Sequence, residues 1–275
     1  MDNFYAIYIG IALAASFSIM GSLFILIIYF KYPNLQCFAF RLVSYLTFFN
    51  FFESLSQIIP SYKISSNLCL VQSIFNQFFG LCNILWTGFI CLILYFQVSK
   101  NSLNPKRYEK IFLFLTVLIS FASIAILLTF SNFGYVGGNC WIEEVELGNY
   151  FRFIFFLIPA WAVIFFISIM YIKIIHTVRR ESFLITEMDK AQDMVINKLK
   201  VYPIVMIIGF TPLTVYRILE IFIYPPLWLY AIGVAVYTFI GFMNAVVYGM
   251  NESVKDEIFK KYSEEDVSIS LEDRG

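Results

Sequence analysis

Seven long runs of apolar residues constrain this chain more than any other feature of its sequence. A helix of about 20 residues, rising 1.5 Å per residue, crosses the roughly 30 Å hydrocarbon core of a bilayer. The composition agrees, because 60% of the 275 residues are hydrophobic, 14% are charged and the mean hydropathy is +0.77. The runs predict an all-α membrane protein, a bundle of seven transmembrane helices near residues 4–30, 42–60, 68–98, 111–131, 150–175, 201–224 and 227–250.

The charged residues lie mainly between these runs, and their distribution predicts an orientation. With 19 basic and 19 acidic residues, the net charge is zero and gives no information on partners. Sixteen of the 19 Lys and Arg residues fall in connections one, three and five or in the C-terminal tail. Connections rich in Lys and Arg stay in the cytoplasm. We therefore expect a multi-pass protein of the plasma membrane, with its N-terminus outside, its C-terminus cytoplasmic and its first run retained as a span.

The predicted topology separates the five cysteines by redox environment. Cys37 falls in a cytoplasmic loop, where thiols stay reduced, and Cys82 and Cys91 fall inside span three. Cys69, at the outer start of span three, and Cys140, in the outer loop after span four, share the oxidising compartment. We predict a disulfide between them, the alternative being two unpaired buried cysteines. Closing a loop of about 70 residues contributes about 4 kcal/mol in the chain-entropy model, and would hold this loop across the bundle mouth.

Several segments carry a resemblance to a receptor family. Seven helices, an outer N-terminus and a bridge from span three to the loop after span four look like a G-protein-coupled receptor. The segments KVYPIVMIIGFTPLTVYRI from Lys200, GFMNAVVYGMNESVKDEI from Gly241, RLVSYL from Arg41 and NILWTGFICLILYFQV from Asn83 resemble the cyclic-AMP-receptor-like family. That family is known from slime moulds and is distantly similar to the secretin and adhesion receptors. The rhodopsin-like acidic-Arg-aromatic triplet is missing, since residues 92–100 read LILYFQVSK.

This resemblance implies a receptor that transduces an extracellular small-molecule signal to a heterotrimeric G protein. It also implies that the cytoplasmic half of span six swings outward on activation. The expected partners are the G protein, a small extracellular ligand and the lipid bilayer, and we expect no nucleic acid, no cofactor and no enzyme activity. His176 is the only histidine, which excludes a His-based metal site, and the last span has no lysine for a Schiff base. The alternative function is a small seven-helix transporter of a polar or anionic solute.

Polar residues inside a bilayer are costly, so they mark candidate sites. In span three, polar or small residues recur at spacings of three or four, namely Gln72, Asn76, Gly80, Asn83 and Thr87. They form one helical stripe, which we expect to face the bundle interior and to line a pocket at its outer end. The alternative is interhelical hydrogen bonding without a ligand.

A second group of polar residues is charged and lies near the outer ends of spans five and six. Arg217 and Glu220, three apart, share a helix face, and Arg152 could join them. A pocket with both arginines could hold a phosphate or carboxylate, whereas purely structural ion pairs are the alternative. Trp141 would pack down as part of a lid or anchor at the interface. The candidate ligand-binding residues are Gln72, Asn76, Arg152, Arg217, Glu220 and Trp141.

The candidate activation switch lies deeper in the bundle. Glu53 lies about 10 Å below the outer end of span two, so it needs a cation, a proton or a hydrogen-bonding cluster. Pro203 and Pro212 lack backbone N–H donors and would kink span six, either as a hinge or as a plain structural bend. Asn244 and Tyr248 could latch the closed state. The candidate switch residues are Glu53, Asn50, Asn83, Pro212, Asn244 and Tyr248.

The predicted cytoplasmic face is basic. Its basic residues could dock an acidic partner or touch anionic lipid, and the candidate G-protein contacts are Lys106, Arg107, Arg179, Arg180 and Lys198. Connection five lacks Gly and Pro and should extend spans five and six as helices. Ser253 and Asp256 have a capping-box spacing before an apolar face, which predicts a short amphipathic eighth helix. We expect a receptor domain at 1–262 that includes this helix and a disordered tail at 263–275.

Overall fold

The computed structural model describes residues 2–60, 66–98, 105–130, 133–136, 138–143, 145–182, 189–223 and 225–249. Helices account for most of these residues, and the strands are limited to one short hairpin. A π-helical turn, Phe153–Leu157, joins α5 to α6. The elements are α1 (Asp2–Lys31), α2 (Phe38–Gln57), α3 (Ser66–Val98), α4 (Pro105–Thr129), β1 (Phe133–Val136), β2 (Asn139–Ile142), α5 (Glu146–Arg152), α6 (Ile158–Ser182), α7 (Asp189–Phe222), α8 (Leu227–Thr238) and α9 (Ile240–Gly249).

These helices form a bundle of seven spans, which confirms the predicted fold class. Spans 1 to 4 are α1 to α4, span 5 comprises α5, the π turn and α6, span 6 is α7, and span 7 comprises α8 and α9. Within the described residues, six spans are long and apolar enough to cross a membrane by length and composition: Tyr5–Lys31, Ser66–Ile93, Arg107–Thr129, Leu147–His176, Ile204–Phe222 and Leu227–Gly249.

Span 2 is the seventh member of the bundle, although it is not apolar enough to be counted with the six. It packs against spans 1, 3 and 7. Its polar residues are buried, namely Ser44, Thr47, Asn50, Glu53, Ser54, Ser56 and Gln57. A polar side chain inside a bundle contacts protein rather than lipid. Span 2 can therefore contain more polar residues than a lipid-exposed helix could.

The bundle interior contains two apolar clusters, one of which runs most of the length of the bundle, from Val136 to Cys91 and Val205. Span 3 contributes to both, with Ile84 in one cluster and Trp86 in the other. The Trp86 side chain is fully buried, and its Nε1 donates a hydrogen bond of 2.8 Å to the carbonyl of Leu42 in span 2. Large apolar side chains such as Phe165 and Ile172 are more than half exposed. In a bilayer these exposed faces contact lipid tails instead of water.

A β-hairpin covers one end of the bundle, and a disulfide attaches it there. β1 and β2 are antiparallel, with Tyr135 opposite Cys140. Gly138 in the turn has φ of 119°, a conformation that residues with a Cβ rarely adopt. Cys140 is bonded to Cys69 at the start of span 3, with Cα atoms 5.3 Å apart, which confirms the predicted disulfide. We call this the disulfide end, and the other the opposite end.

Polar side chains of the spans also hold the hairpin backbone. Gln72 Oε1 accepts a hydrogen bond of 3.2 Å from the Cys140 amide, and Asn76 Nδ2 donates one of 3.1 Å to the Cys140 carbonyl. From span 7, Tyr230 donates its hydroxyl proton to the carbonyl of Val136 at 3.2 Å. The hairpin is therefore a lid that hydrogen bonds to the spans hold in place in addition to the covalent bridge.

At the opposite end, an ion pair joins spans 2 and 4. Arg41 meets Glu109 through two hydrogen bonds, from Nε to Oε1 at 2.8 Å and from Nη2 to Oε2 at 2.7 Å. The Glu109 side chain is nearly fully buried, whereas the Arg41 side chain is 30% exposed. A bidentate Arg–carboxylate pair fixes orientation as well as distance, so it sets how these two helix ends sit together.

Spans 5 and 6 extend well beyond their apolar runs, as the lack of Gly and Pro in the fifth connection predicts. α6 continues to Ser182 and α7 begins at Asp189. The predicted eighth helix and tail, at 250–275, lie outside the described residues. Among the candidate G-protein contacts, Arg107 is exposed at the start of span 4. The others lie in helices, but their side chains are outside the described ones: Lys106, Arg179, Arg180 and Lys198.

Replacing Cys69 and Cys140 together by serine should lower the free energy of unfolding by about 2–4 kcal/mol, because the unfolded chain regains the freedom of a long loop. The bridge joins residues 71 positions apart. Thermal and chemical unfolding in detergent micelles measure the change. Cys37→Ala is the control, since Cys37 is an exposed free thiol whose side chain makes no capping hydrogen bond at the start of α2, and its loss should change little. A double variant as stable as the wild type would contradict a structural role for the bridge.

Candidate functional site

A cavity lies directly beneath the hairpin, and its empty space, including the open space at its mouth, is about 370 Å³. Spans 2, 3, 5, 6 and 7 and strand β2 all contribute to its walls. We call it the hairpin cavity, and it is lined by Glu53, Gln57, Asn76, Asn139, Trp141, Phe156, Leu213, Arg217, Tyr230, Val234 and Tyr237. Aromatic and aliphatic side chains make up about half of this lining, and a few polar groups interrupt it, a composition typical of small-molecule sites.

The roof of the hairpin cavity is held in place by side chains of β2. Trp141 donates its Nε1 proton to Gln77 Oε1 at 3.0 Å, and its ring meets Phe156 edge to face with centroids 5.0 Å apart. Asn139 Nδ2 donates a hydrogen bond of 2.8 Å to Gln57 Oε1. Trp141 therefore packs down on the helices as part of the lid, which was one of its two predicted roles.

One wall of the hairpin cavity is cationic. Arg217 Nη1 bonds Glu220 Oε2 at 2.7 Å, and Arg152 Nη1 reaches Glu220 Oε1 at 3.5 Å. Both arginines are at least 97% buried, and both contact the Glu220 carboxylate. The Arg217 guanidinium also stands over the rings of Trp141 and Tyr230, at 5.7 and 5.5 Å from their centroids. Such contacts help a buried cation to remain charged.

The floor of the hairpin cavity is a three-residue hydrogen-bond cluster that joins spans 2, 3 and 7. The buried Glu53 accepts a hydrogen bond from the Tyr237 hydroxyl on one carboxylate oxygen and from Asn83 Nδ2 on the other. Gly80 makes this approach possible, because a Cβ there would lie 3.0 Å from both Glu53 Oε1 and Tyr237 Oη. The sequence left three possibilities for the Glu53 carboxyl group, namely a cation, a proton or a hydrogen-bonding cluster. The structure shows the hydrogen-bonding cluster.

A second cavity, of about 500 Å³, lies beyond this cluster toward the middle of the bundle, and we call it the central cavity. Glu53 and Tyr237 line both cavities. The central cavity also takes in Asn50, Asn83 and Asn244, so four of the six candidate switch residues face one space.

The other two switch candidates, Pro212 and Tyr248, do not line the central cavity. Pro212 lies on span 6 next to Gly233 of span 7, and Tyr248 is buried in the apolar cluster of the opposite end. Between the two cavities, the rings of Phe156, Phe210 and Tyr237 contact one another, with centroids 5.1 to 5.8 Å apart.

Three of the six candidate ligand-binding residues line the hairpin cavity, namely Asn76, Trp141 and Arg217. Gln72 instead bonds the hairpin backbone, as does Arg152, whose Nε donates to the carbonyl of Ile142 at 2.9 Å. The predicted stripe of span three is buried along its whole length. No group of three His, Cys, Asp or Glu residues arranged to hold a metal ion is found in the part of the chain that the structure describes.

Sequence reasoning missed four residues with polar groups in the hairpin cavity, namely Gln57, Asn139, Tyr230 and Tyr237, and three apolar ones, namely Phe156, Leu213 and Val234. Asn139 stands beside the Cys-Trp pair in a polar island of the sequence, which was a usable signal. Tyr230 and Tyr237 stand in an apolar run of a chain with 18 tyrosines, and no pattern distinguishes them from lipid-facing ones.

The fold defines the class of protein. The structure matches squid rhodopsin with a TM-score of 0.73, covering 94% of this chain and 85% of that chain at 16% sequence identity. The bundle with its lid and internal cavities is thus the seven-helix fold of G-protein-coupled receptors.

The family is given by the sequence itself. The family model described as slime mold cyclic AMP receptor matches residues 2–262, and the chain belongs to that family. It is 28% identical to G-protein coupled receptor 1 of Arabidopsis thaliana, over 90% of this chain and 79% of the relative. It is 24% identical to Cyclic AMP receptor-like protein A of Dictyostelium discoideum, over 90% of this chain and 66% of the relative. The predicted resemblance is confirmed, and the chain is a G-protein-coupled receptor.

Gly80→Ala should destabilise the bundle by about 1–3 kcal/mol, because the added methyl group forces the Glu53 and Tyr237 oxygens apart. The change is read as a lower melting temperature of the purified protein. Gly10→Ala is the control, since a Cβ at Gly10 meets nothing within 4 Å. That control should be neutral or stabilise span 1 by up to about 1 kcal/mol. Equal melting temperatures of Gly80→Ala and the wild type would show that Glu53 and Tyr237 do not pack closely against span 3 at Gly80.

Proposed function

We propose that this receptor senses a small extracellular molecule in the hairpin cavity and passes the signal to a heterotrimeric G protein at the opposite end. The observation that carries the proposal is that Glu53 and Tyr237 line both cavities. A molecule in the hairpin cavity therefore contacts the two side chains that also border the central cavity. No observation favours the transporter alternative, and the family is one of receptors.

The proposal includes an orientation in the plasma membrane, with the disulfide end outside. A disulfide persists in an oxidising compartment, and Cys69–Cys140 lies at this end. The connections at the opposite end and the C-terminal tail hold most of the Lys and Arg residues, which favours a cytoplasmic position for them.

The ligand in this proposal carries an anionic group, either a phosphate or a carboxylate. Arg217 lines the cavity and brings a guanidinium to it. An anionic group in the cavity would interact with this guanidinium in a site of low dielectric, where the interaction is strong. Cyclic AMP, which the family description and the Dictyostelium relative's name mention, belongs to this class of anion.

The signal in this proposal travels from Tyr237 to span 6. Tyr237 contacts Phe210, with ring centroids 5.1 Å apart, and Phe210 lies on the side of Pro212 that faces the opposite end. Pro212 has no N–H, so the carbonyl of Ile208 lacks its usual helical partner and the helix bends there at lower cost. A shift of Tyr237 would move Phe210 and with it the half of span 6 that reaches the opposite end.

The G protein in this proposal docks at the opposite end. Spans 5 and 6 extend there to Ser182 and from Asp189, and the exposed Arg107 lies at the start of span 4. Lys106, Arg179, Arg180 and Lys198 remain proposed contacts on sequence grounds. The division into a receptor domain at 1–262 and a tail at 263–275 is likewise kept as a proposal.

Arg217→Ala should abolish the response of intact cells to an active ligand, because it removes the cation that lines the hairpin cavity. Cells expressing the receptor with a G-protein activation reporter are screened with pools of small acids added to the medium. Arg107→Ala is the matched control, since a contact at the opposite end should lower maximal activation without raising the half-maximal ligand concentration. A response from Arg217→Ala cells at the wild-type ligand concentration would place the ligand elsewhere.

Tyr237→Phe should separate ligand binding from signalling, because it keeps the ring and removes the hydroxyl bonded to Glu53. A hydrogen bond contributes about 0.5–1.5 kcal/mol net, so we expect a fall of up to about tenfold in maximal ligand-stimulated nucleotide exchange. The measurement is GDP–GTP exchange on a G protein mixed with the reconstituted receptor. Tyr150→Phe, at a side chain that is 61% exposed, is the control. Unchanged maximal exchange would exclude this hydroxyl from the signalling route.

A further inference from the structure

We propose that Gln77 of span 3 is a positioning residue that couples Trp141, in the roof of the hairpin cavity, to the π turn of span 5. A ligand that displaces Trp141 would thereby release a backbone carbonyl of span 5 and change the course of that helix. This inference rests on the proposed function, because it takes the hairpin cavity to be the ligand site. It goes further by adding a second signalling route, through span 5, to the route from Tyr237 to span 6.

The π turn contains a backbone carbonyl that cannot have its usual α-helical donor. In an α-helix, the carbonyl of residue 155 accepts a hydrogen bond from the N–H of residue 159. Residue 159 is a proline, which has no N–H. Just before it, the Ile158 N–H bonds the Phe153 carbonyl five residues back, as in a π-helix. The Phe155 carbonyl therefore gains from a donor that comes from another part of the protein.

Gln77 supplies such a donor and bonds the lid as well. Its Nε2 donates to the Phe155 carbonyl at 3.3 Å, and its Oε1 accepts the hydrogen bond of 3.0 Å from Trp141 Nε1. The Gln77 side chain is fully buried, and span 3 packs against the π turn at this level. A single amide group thus connects the lid of the hairpin cavity to the backbone of span 5.

The two hydrogen bonds together fix the orientation of the Gln77 amide. Turning the amide over would place Oε1 against the Phe155 carbonyl oxygen and Nε2 against the Trp141 N–H, so that acceptor would face acceptor and donor would face donor. Such unsatisfied buried groups cost free energy. When Trp141 moves away, Oε1 loses its donor and this orientation is no longer enforced. The amide can then turn, and the Phe155 carbonyl loses the Gln77 donor.

Trp141 is the member of this relay that a ligand can contact. It lines the hairpin cavity and is only partly buried, whereas Gln77 does not line the cavity. A ligand therefore acts on Gln77 through Trp141, and Gln77 acts on span 5 through the Phe155 carbonyl. This order makes Gln77 a positioning residue and not a ligand contact.

Span 5 can carry a change of the π turn to the opposite end. A π turn holds one extra residue in a helix, so its shift or loss moves one part of the helix against the other by about 100° of rotation and 1.5 Å of rise. On one side of the turn, α6 continues to Ser182 at the opposite end. Within the turn, the Phe156 ring contacts those of Phe210 and Tyr237. The turn is therefore connected to span 6 and span 7 as well.

The test measures the position of span 5 without any ligand. Spin labels are attached at Met20→Cys of span 1 and Ile172→Cys of span 5, two side chains that are more than half exposed, and Cys37→Ala removes the exposed free thiol. Pulsed electron paramagnetic resonance on the full chain in lipid nanodiscs gives the distance between the labels. Gln77→Met keeps the side-chain length and removes both hydrogen bonds. It should shift the mean distance by about 2 Å or more, since a change of one residue in register displaces a helical side chain by at least that amount.

Trp141→Phe tests whether the roof itself controls span 5. This variant keeps an aromatic ring next to Phe156 and removes only the N–H that bonds Gln77, so we expect a shift of the distance in the same direction. It leaves the Gln77 side chain in place, so it decides the proposal even where Gln77→Met does not fold. Gln36→Met is the matched control, because Gln36 Nε2 also donates to a backbone carbonyl, that of Tyr29 at 3.0 Å, and its loss should leave the distance unchanged.

Pro159→Ala tests the physical cause of the relay. Alanine restores an N–H at residue 159, which gives the Phe155 carbonyl its helical donor and makes the Gln77 donor unnecessary. Gln77→Met added to Pro159→Ala should therefore cause no further shift of the distance. This non-additivity is what a double-mutant cycle measures for two residues that act on the same group.

Two results would overturn the proposal. An unchanged distance in Gln77→Met would show that Gln77 does not position span 5. A shift in Gln77→Met without one in Trp141→Phe would show that Gln77 supports span 5 but does not couple it to the roof. Neither result depends on a ligand, so both are distinct from failure of the proposed function, which is a ligand response that Arg217→Ala leaves unchanged.

Discussion

In a bilayer, a polar side chain cannot turn to water for its hydrogen bonds, so it must find them inside the protein. Glu53 shows how far this requirement shapes the bundle. Its two carboxylate oxygens draw Tyr237 of span 7 and Asn83 of span 3 toward span 2, and Gly80 lets the helices approach that closely. Span 2 is less apolar than the other six spans, and these bonds join it to spans 3 and 7.

The same requirement acts at the disulfide end, with a different outcome. Gln72 and Asn76 stand on the polar stripe of span 3, but their amides bond the backbone of the hairpin. Arg152 does the same from span 5. These hydrogen bonds satisfy the buried side chains and the hairpin backbone at the same time. The backbone groups of a lid that packs into a bundle also lose their contact with water and need partners. The lid is thereby fixed closely enough for Trp141 and Asn139 to form the roof of a defined cavity.

The sequence was sufficient for features that depend on one helix at a time. The seven spans, the disulfide from Cys69 to Cys140 and the inward stripe of span 3 all follow from hydropathy, topology and helical period. Partners across the bundle depend on how each helix is rotated and how deep it lies, and one sequence does not contain that information. Tyr237 is the clearest case, because nothing in its apolar surroundings indicates a carboxyl group 184 residues away in the chain.

In the proposed function, the position of Glu53 and Tyr237 would let one cluster serve both recognition and transmission. A ligand can bias a protein only through interactions that differ between two conformations. The hairpin cavity by itself would provide affinity without signalling, and the central cavity by itself would provide movement without a trigger. The contact between the Tyr237 hydroxyl and the Glu53 carboxyl group borders both cavities. A molecule in the hairpin cavity that shifts this contact would therefore change the packing of Tyr237 against Phe210 at the central cavity. The proline of span 6 lies two residues from Phe210, so in this proposal the shift reaches the helix where it bends at low cost.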